Sequence, residues 1–445
     1  MYGESTATSG YTGNNTLRYG YRIREQQNTA MQPWVKAAVL LVMFCALGFP
    51  GTYTRVFGDW LEVFTRYGIF FLEIFLMLVL SSNRLEEIKL ISLKPQYVPI
   101  YLFLVYIFTL SMIVTSDKGE EVISCLRFSV TALFGIWLVD HFDLEEMLVL
   151  IYQAMILYVL AAVTFAVLFP GYYERMSDQQ NAFLGLVDTK NVSGMILVFG
   201  IIMQMLLWKV LTKKNVSVSA FFVGFLAFQI FLMVLADSKG AMVYCALIVG
   251  LILFVGDRFR LNIGMICVIA SILFLIFAMT ILPLFEPLLN AIGKDATLTG
   301  RVPLWNQLID IIRENRPLAG YGYAHFWFDQ EALDLLHTGF SKTSYLNQMT
   351  LGSHNCLIEL WINTGLVGLL AFSAMLIAAF SRSGQIKGDK YVFCMTYMAF
   401  FTLSGFTERC WGTFGYKMLF LFAAIAMGCQ KMNNTAANVM VNDRY

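Results

Sequence analysis

The sequence predicts an all-α polytopic membrane protein, and three observations carry that prediction. Hydrophobic residues fill 58% of the 445 positions and charged residues 14%, with a mean hydropathy of +0.65. A soluble domain of this length could not hide so much apolar surface, so the bilayer is its solvent. Apolar runs recur at lengths that suit a hydrocarbon core of about 30 Å. Lys and Arg gather in alternate short loops, as expected when positive charge is retained on one side.

Taken in order, residues 1–34 are polar, carry Arg18, Arg22 and Arg24, lack the apolar stretch of a cleavable signal, and read as a disordered cytoplasmic tail. Apolar runs follow near 35–54, 61–80, 97–115, 121–139, 147–169, 191–211, 218–236, 240–256 and 261–283. Beyond a long loop at 284–355, three more lie near 356–380, 391–406 and 414–429, before a second tail at 430–445. The count is about 12 transmembrane helices, bounded by roughly 10 and 14. With the N-terminus inside, the inner side collects Lys36, Arg84, Lys89, Lys94, Lys209, Lys213, Lys214, Arg258, Arg260, Arg382, Lys387 and Lys390. The acidic loop at 140–146 gives no orientation signal. Both termini then fall in the cytoplasm, and 170–190 and 284–355 fall outside.

A connection of about seventy residues between spans is functional or disordered, and its composition favours order. From Val302 to Asn315, Leu304, Trp305, Leu308, Ile311 and Ile312 recur at helical spacing, which predicts an amphipathic helix able to rest on the membrane surface. Pro317, Gly320 and Gly322 end it. A turn-rich stretch from Thr350 then delivers His354 and Asn355 to the next span. His325 and His337, in the same loop, read as structural. His354 follows Gly352 and Ser353 at a span boundary, where an imidazole titrates near neutral pH and membrane-dissolved substrates arrive. On this ground alone a functional and a structural place for it are equally open. Tyr321, Tyr323, Phe326, Trp327 and Phe328 beside the turn suit packing or sugar stacking.

Other features also have two readings. Glu73 and Arg127 lie inside spans, where charge is costly; they pair with each other or have another structural role, or Arg127 contacts a phosphate or sugar. Asn191 caps its helix or contributes to a site. Glu408 and Arg409 form a solvated pair, or Glu408 holds a sugar hydroxyl. Of the eight cysteines, Cys45, Cys125, Cys245, Cys267, Cys394 and Cys429 fall in or beside apolar runs, Cys356 and Cys410 lie near segment ends, and there is no CxxC pair. Net charge is +1 and no basic face suits nucleic acid.

Several segments together resemble the bacterial O-antigen ligase and polymerase superfamily, including Wzy-type O-antigen and exopolysaccharide polymerases. They are Asp188-Thr189-Lys190-Asn191-Val192-Ser193-Gly194; Asp237-Ser238-Lys239-Gly240-Ala241; Thr299-Gly300-Arg301 with Leu304-Trp305 and Pro317-Leu318-Ala319-Gly320-Tyr321-Gly322; His354-Asn355 with Gly365 and Gly368 downstream; and Phe406-Thr407-Glu408. The resemblance covers about residues 185–415. One departure is Lys239, where the family usually has Arg; lysine keeps the charge and loses the bidentate fork that suits phosphate.

The resemblance implies a glycosyltransferase on the outer face of the bacterial plasma (inner) membrane. Its donor and acceptor would be undecaprenyl-pyrophosphate-linked oligosaccharides within the membrane lipid, with a chain-length regulator as a further partner and no cofactor. An acceptor hydroxyl attacks the first sugar carbon and the pyrophosphate leaves, so the site needs fixed cations to neutralise developing charge. Arg301 is the first choice for that role. His354 would orient or deprotonate the acceptor. Lys239, Lys190, Asn191, Asn355, Arg127 and Glu408 would bind substrate. No Asp-x-Asp triplet occurs, so no divalent metal is expected. Polymerase is the favoured reading, with a ligase acting on a lipid A core or protein hydroxyl next, and a transporter or flippase as the rival from another class.

Overall fold

The computed structural model describes residues 32–49, 53–82, 94–115, 118–170, 182–187, 189–254, 262–287, 297–298, 300–338, 352–381, 388–408, 410–411 and 414–430. Most of the two tails, Arg84, Lys89, Asp188, Arg258, Arg260, Thr299, Arg382, Lys387 and Arg409 lie outside them. Among the described residues there is no strand, and every predicted apolar run contains a helix. In chain order these are α1 (Pro33–Ala46), α2 (Asp59–Ser82), α3 (Val98–Val114), α4 (Lys118–His141), α5 (Leu144–Leu168), α6 (Lys190–Lys213), α7 (Ala220–Leu235), α8 (Lys239–Phe254) and α9 (Ile263–Ile276). The connection after them contributes α10 (Arg301–Asn315) and α11 (Gln330–Thr338), and α12 (Cys356–Phe380), α13 (Asp389–Gly405) and α14 (Tyr416–Cys429) complete the chain.

Among the described residues, six segments are long and apolar enough to cross a membrane: Pro95–Val114, α4, α5, α6, Ile263–Phe285 and α12. Shorter apolar helices are α1, α7, α8 and α14. Helix α14 is hydrophobic on all sides and Met418 to Gly428 is buried throughout, so it is the central helix of the bundle. Its closest partner is α4, where a Cβ on Gly135 would stand 2.5 Å from Leu419 O; the absence of a side chain lets the two backbones touch.

Charges predicted to share the inner side gather at one end of the bundle. Lys36 pairs with Glu146 at 3.0 Å, Lys94 with Asp140 at 2.9 Å, Lys213 with Asp389 at 2.6 Å, and Lys214 with Glu145. Such part-exposed pairs contribute little stability. They do explain the acidic 140–146 loop, which supplies counter-charges to the basic ones around it.

Helix α10 departs from expectation. Its apolar face does not lie on a membrane surface: Trp305, Leu308 and Ile312 are buried against Ala278, Phe326, Trp327, Ile358 and Ile362 of the protein itself. Protein offers the same apolar environment as lipid together with close packing, each fully buried side chain contributing roughly 1.5–3 kcal/mol.

Helix α12 is broken at Gly365 (φ 66°, ψ −177°). The segment Pro317–Gly322 lies in the break and satisfies the backbone there. Tyr321 N donates to Ile362 O (2.8 Å), Gly322 N to Asn363 O (3.1 Å) and Leu366 N to Pro317 O (2.9 Å). Interrupted helices are tolerated at membrane depth when other backbone takes up the released groups. Both glycine motifs thus belong to one joint: a Cβ at 365 would meet Leu318 O at 2.0 Å, and one at Gly320 would meet Gly365 N at 2.6 Å.

Candidate active site

Arg301 opens α10, directly after Gly300 in a left-handed turn. Its Nη2 donates to Glu408 Oε1 at 3.1 Å, the two side chains being 16% and 9% exposed. Arg301 Nε is buried with no hydrogen-bond partner among the described residues, so the guanidinium holds donors in reserve. His354 has a positive φ of 50°, uncommon for a residue with a Cβ, and its Nδ1 faces Glu408 Oε2 at 3.8 Å. At that distance the ring and the carboxylate face each other, too far apart for a hydrogen bond. Burial would raise the pKa of Glu408; the facing His354 ring, then the charges of Arg301 and Lys417, outweigh it and hold the carboxyl below its ordinary value. Glu408 is therefore an anion at neutral pH.

A buried network fixes the turn that carries His354. Glu359, in the first turn of α12 and fully buried, accepts from Ser353 N on Oε2 and from Trp327 Nε1 on Oε1, both at 2.9 Å. Ser353 O accepts from Trp305 Nε1 at 2.7 Å. Asn355 caps α12, its Oδ1 accepting from Leu357 N (3.0 Å) and Ile358 N (3.1 Å) while Nδ2 donates to Phe406 O (3.3 Å). The backbone on either side of His354 is thereby tied to the helix bearing Arg301, to the aromatic segment and to the loop bearing Glu408. Asn355 spends its amide on this geometry. Glu359 and Lys417 were not singled out in the sequence; an acid and a lysine in the first turns of apolar helices were the available signal.

The remaining basic candidates form a second, looser cluster. Lys190 Nζ lies 3.3 Å from Asp237 Oδ2, and Asn191 Oδ1 accepts from Ser238 Oγ at 3.2 Å. Asn191 is not the helix cap: Thr189 Oγ1 accepts from Val192 N at 3.3 Å and fills that place. Lys239 opens α8, exposed and with no side-chain partner among the described residues. The two clusters share an end of the bundle, since Tyr244 of α8 is hydrogen-bonded to Thr407, next to Glu408, at 3.0 Å. No direct contact joins Lys190 or Lys239 to Arg301 or His354 among the described residues.

Arg127 lies apart from these cations, among Arg66, Tyr67, Glu73 and Tyr323. The expected pairing with Glu73 is not a direct contact: no ion pair within 4 Å joins them among the described residues, and Glu73 Oε1 is buried without a hydrogen-bond partner. His325 is buried and His337 exposed at the end of α11. Of the aromatic group, Tyr321, Tyr323, Phe326 and Trp327 are packed inside, and Phe328 is 69% exposed. Among the described residues, no three His, Cys, Asp or Glu side chains group as metal ligands.

Fold and centre together define a polytopic α-helical membrane protein with a cation–carboxylate–imidazole site at one end. Residues 224–373 match the family described as O-Antigen ligase, a third of the chain that includes Lys239, Arg301 and His354. Over 107 residues the chain is 38% identical to the exopolysaccharide production protein ExoQ of Rhizobium meliloti (strain 1021), the match covering 22% of each. The matched stretch thus spans about a fifth of that relative. No solved structure matches the chain. The two matches support the resemblance to the O-antigen ligase and polymerase superfamily.

Proposed function

We propose that this protein is a polysaccharide polymerase. It transfers a growing glycan from undecaprenyl pyrophosphate to the next lipid-linked repeat unit on the outer face of the plasma membrane. The observation that carries the reading is the Arg301–Glu408–His354 centre, whose parts converge from α10, the α13–α14 loop and the start of α12. An acceptor hydroxyl oxygen attacks the anomeric carbon, the bond from that carbon to the pyrophosphate oxygen breaks, and the hydroxyl proton passes to His354. Glu408 beside Nδ1 orients the ring and leaves Nε2 for the acceptor. The unspent donors of Arg301 receive the departing pyrophosphate, where preorganised charge in a poorly hydrated site acts most strongly. Lys239, Lys190 and Asn191 hold the outer part of the substrate, and a mostly apolar cleft beside the site is lined by Cys356, Cys267, Val268, Leu360, Phe372 and Phe401.

Purified protein reconstituted with a lipid-linked repeat unit tests the reading: the expected product is a ladder of longer chains. Unextended repeats with wild-type protein would refute polymerisation. The family description favours a second reading, a ligase that passes the glycan to another acceptor. A knockout separates them, since single repeats attached to their final acceptor indicate a lost polymerase, and long chains held on the lipid carrier indicate a lost ligase.

A further inference from the structure

Two of the eight cysteines stand inside the candidate site and have no part in the proposed chemistry. Cys356 follows His354 by two positions, and Cys410 follows Glu408 by two. A Cβ on Gly405 would lie 3.7 Å from Cys356 Sγ and 3.5 Å from Cys410 Sγ, so both sulfurs border one small space that the glycine leaves open. The two thiols are near enough to influence each other's ionisation, and both are reduced in this structure. Polar groups surround Cys410: Ser404 Oγ lies 3.6 Å and Lys417 Nζ 3.8 Å from its sulfur. Burial alone would raise its pKa; the neighbouring Cys356 thiol and the charge of Lys417 bring it below the usual thiol range. Such surroundings favour thiolate, the form that attacks disulfides.

We propose that Cys356 and Cys410 are a dithiol pair that closes a disulfide across the site, tying the His354 turn to the Glu408 loop. The Cys410 thiolate attacks a disulfide of the extracytoplasmic thiol pool as the chain folds, forming a mixed disulfide and expelling one thiolate. Cys356 gives up its proton and attacks the Cys410 sulfur, expelling the second. The pair is oxidised by two electrons and the external disulfide is reduced to two thiols. This step rests on the outward-facing site proposed above, because a cytoplasmic pair would be kept reduced.

The test uses the full-length protein in membranes from intact cells, denatured in the presence of N-ethylmaleimide and mapped as peptides before and after reduction. The expected result is a peptide linked through Cys356 and Cys410 that disappears on reduction. Recovery of both cysteines alkylated overturns the proposal, as does a link from either to a different cysteine. A parallel F328C variant, labelled in intact cells with an impermeant maleimide, reports the side on which the loop lies. Labelling from outside with Cys356 and Cys410 alkylated sinks the disulfide and leaves the outward placement standing. No labelling from outside sinks the placement itself.

Discussion

The two cationic clusters at the same end of the bundle are built differently. Arg301 sits in a nearly closed site, bonded to a buried carboxylate, beside a His354 turn held by two tryptophans and a buried glutamate. Lys190 is half-exposed on a part-exposed aspartate, and Lys239 is exposed. A charge fixed in a dry site costs no reorganisation when a leaving group develops charge, whereas an exposed lysine is screened and mobile. Under the proposed function, that difference suits the first cluster to chemistry and the second to capture of substrate.

The largest effect expected is from Arg301→Ala and His354→Ala, each lowering the chain-extension rate by roughly 10²–10³-fold, as for loss of one preorganised donor. A fall of less than about fivefold in the reconstituted assay would remove that centre from the mechanism. Next comes Glu359→Gln, which replaces one of the two carboxyl oxygens that accept from Ser353 N and Trp327 Nε1 with an amide donor. A displaced His354 turn should cost roughly 10-fold to 10²-fold, since a shift of about 1 Å has effects of that order. The loss should fall on turnover, with repeat-unit binding unchanged; weaker binding alone would argue against a positioning role.

The third expectation concerns acid. Glu408 has a folded pKa below its ordinary 4.5, so its contribution to stability is present above that value and is lost as pH falls through the folded pKa. Thermal unfolding midpoints should hold level between about pH 8 and 5 with respect to this group and decline below 4.5. Glu408→Gln should remove that part of the decline, and an unchanged acid limb would show that another group sets it. Smallest are Lys239→Ala and Lys190→Ala. An exposed pair contributes about 0.2–1 kcal/mol, so each should weaken apparent substrate affinity no more than about fivefold, with turnover preserved. If either matched Arg301→Ala, the contrast between the clusters would collapse.

Much of the helical framework was legible from hydropathy alone. The run predicted at 356–380 is Cys356–Phe380, and 191–211 lies within Lys190–Lys213. Arg301 was singled out through the family resemblance, whereas the residues alone left His354 and Glu408 open between a structural and a functional place. Glu359 was not legible, because a lone acid in an apolar run has no sequence mark that distinguishes a network partner from a misfit. Nor was the destination of α10, since an amphipathic stripe reports that one face is apolar and is silent about what covers it.

Composition and apolar periodicity by themselves determined that this chain is helical and membrane-embedded, because solvent preference and the span of a bilayer act on each segment separately. Tertiary structure alone decided that Pro317–Gly322 fills the break at Gly365, that α14 is the central helix, and that Arg301, His354 and Glu408 meet. Those outcomes depend on pairing residues far apart in the chain, Gly135 with Leu419 and Arg301 with Glu408 among them, through hydrogen bonds and close packing that no local pattern specifies.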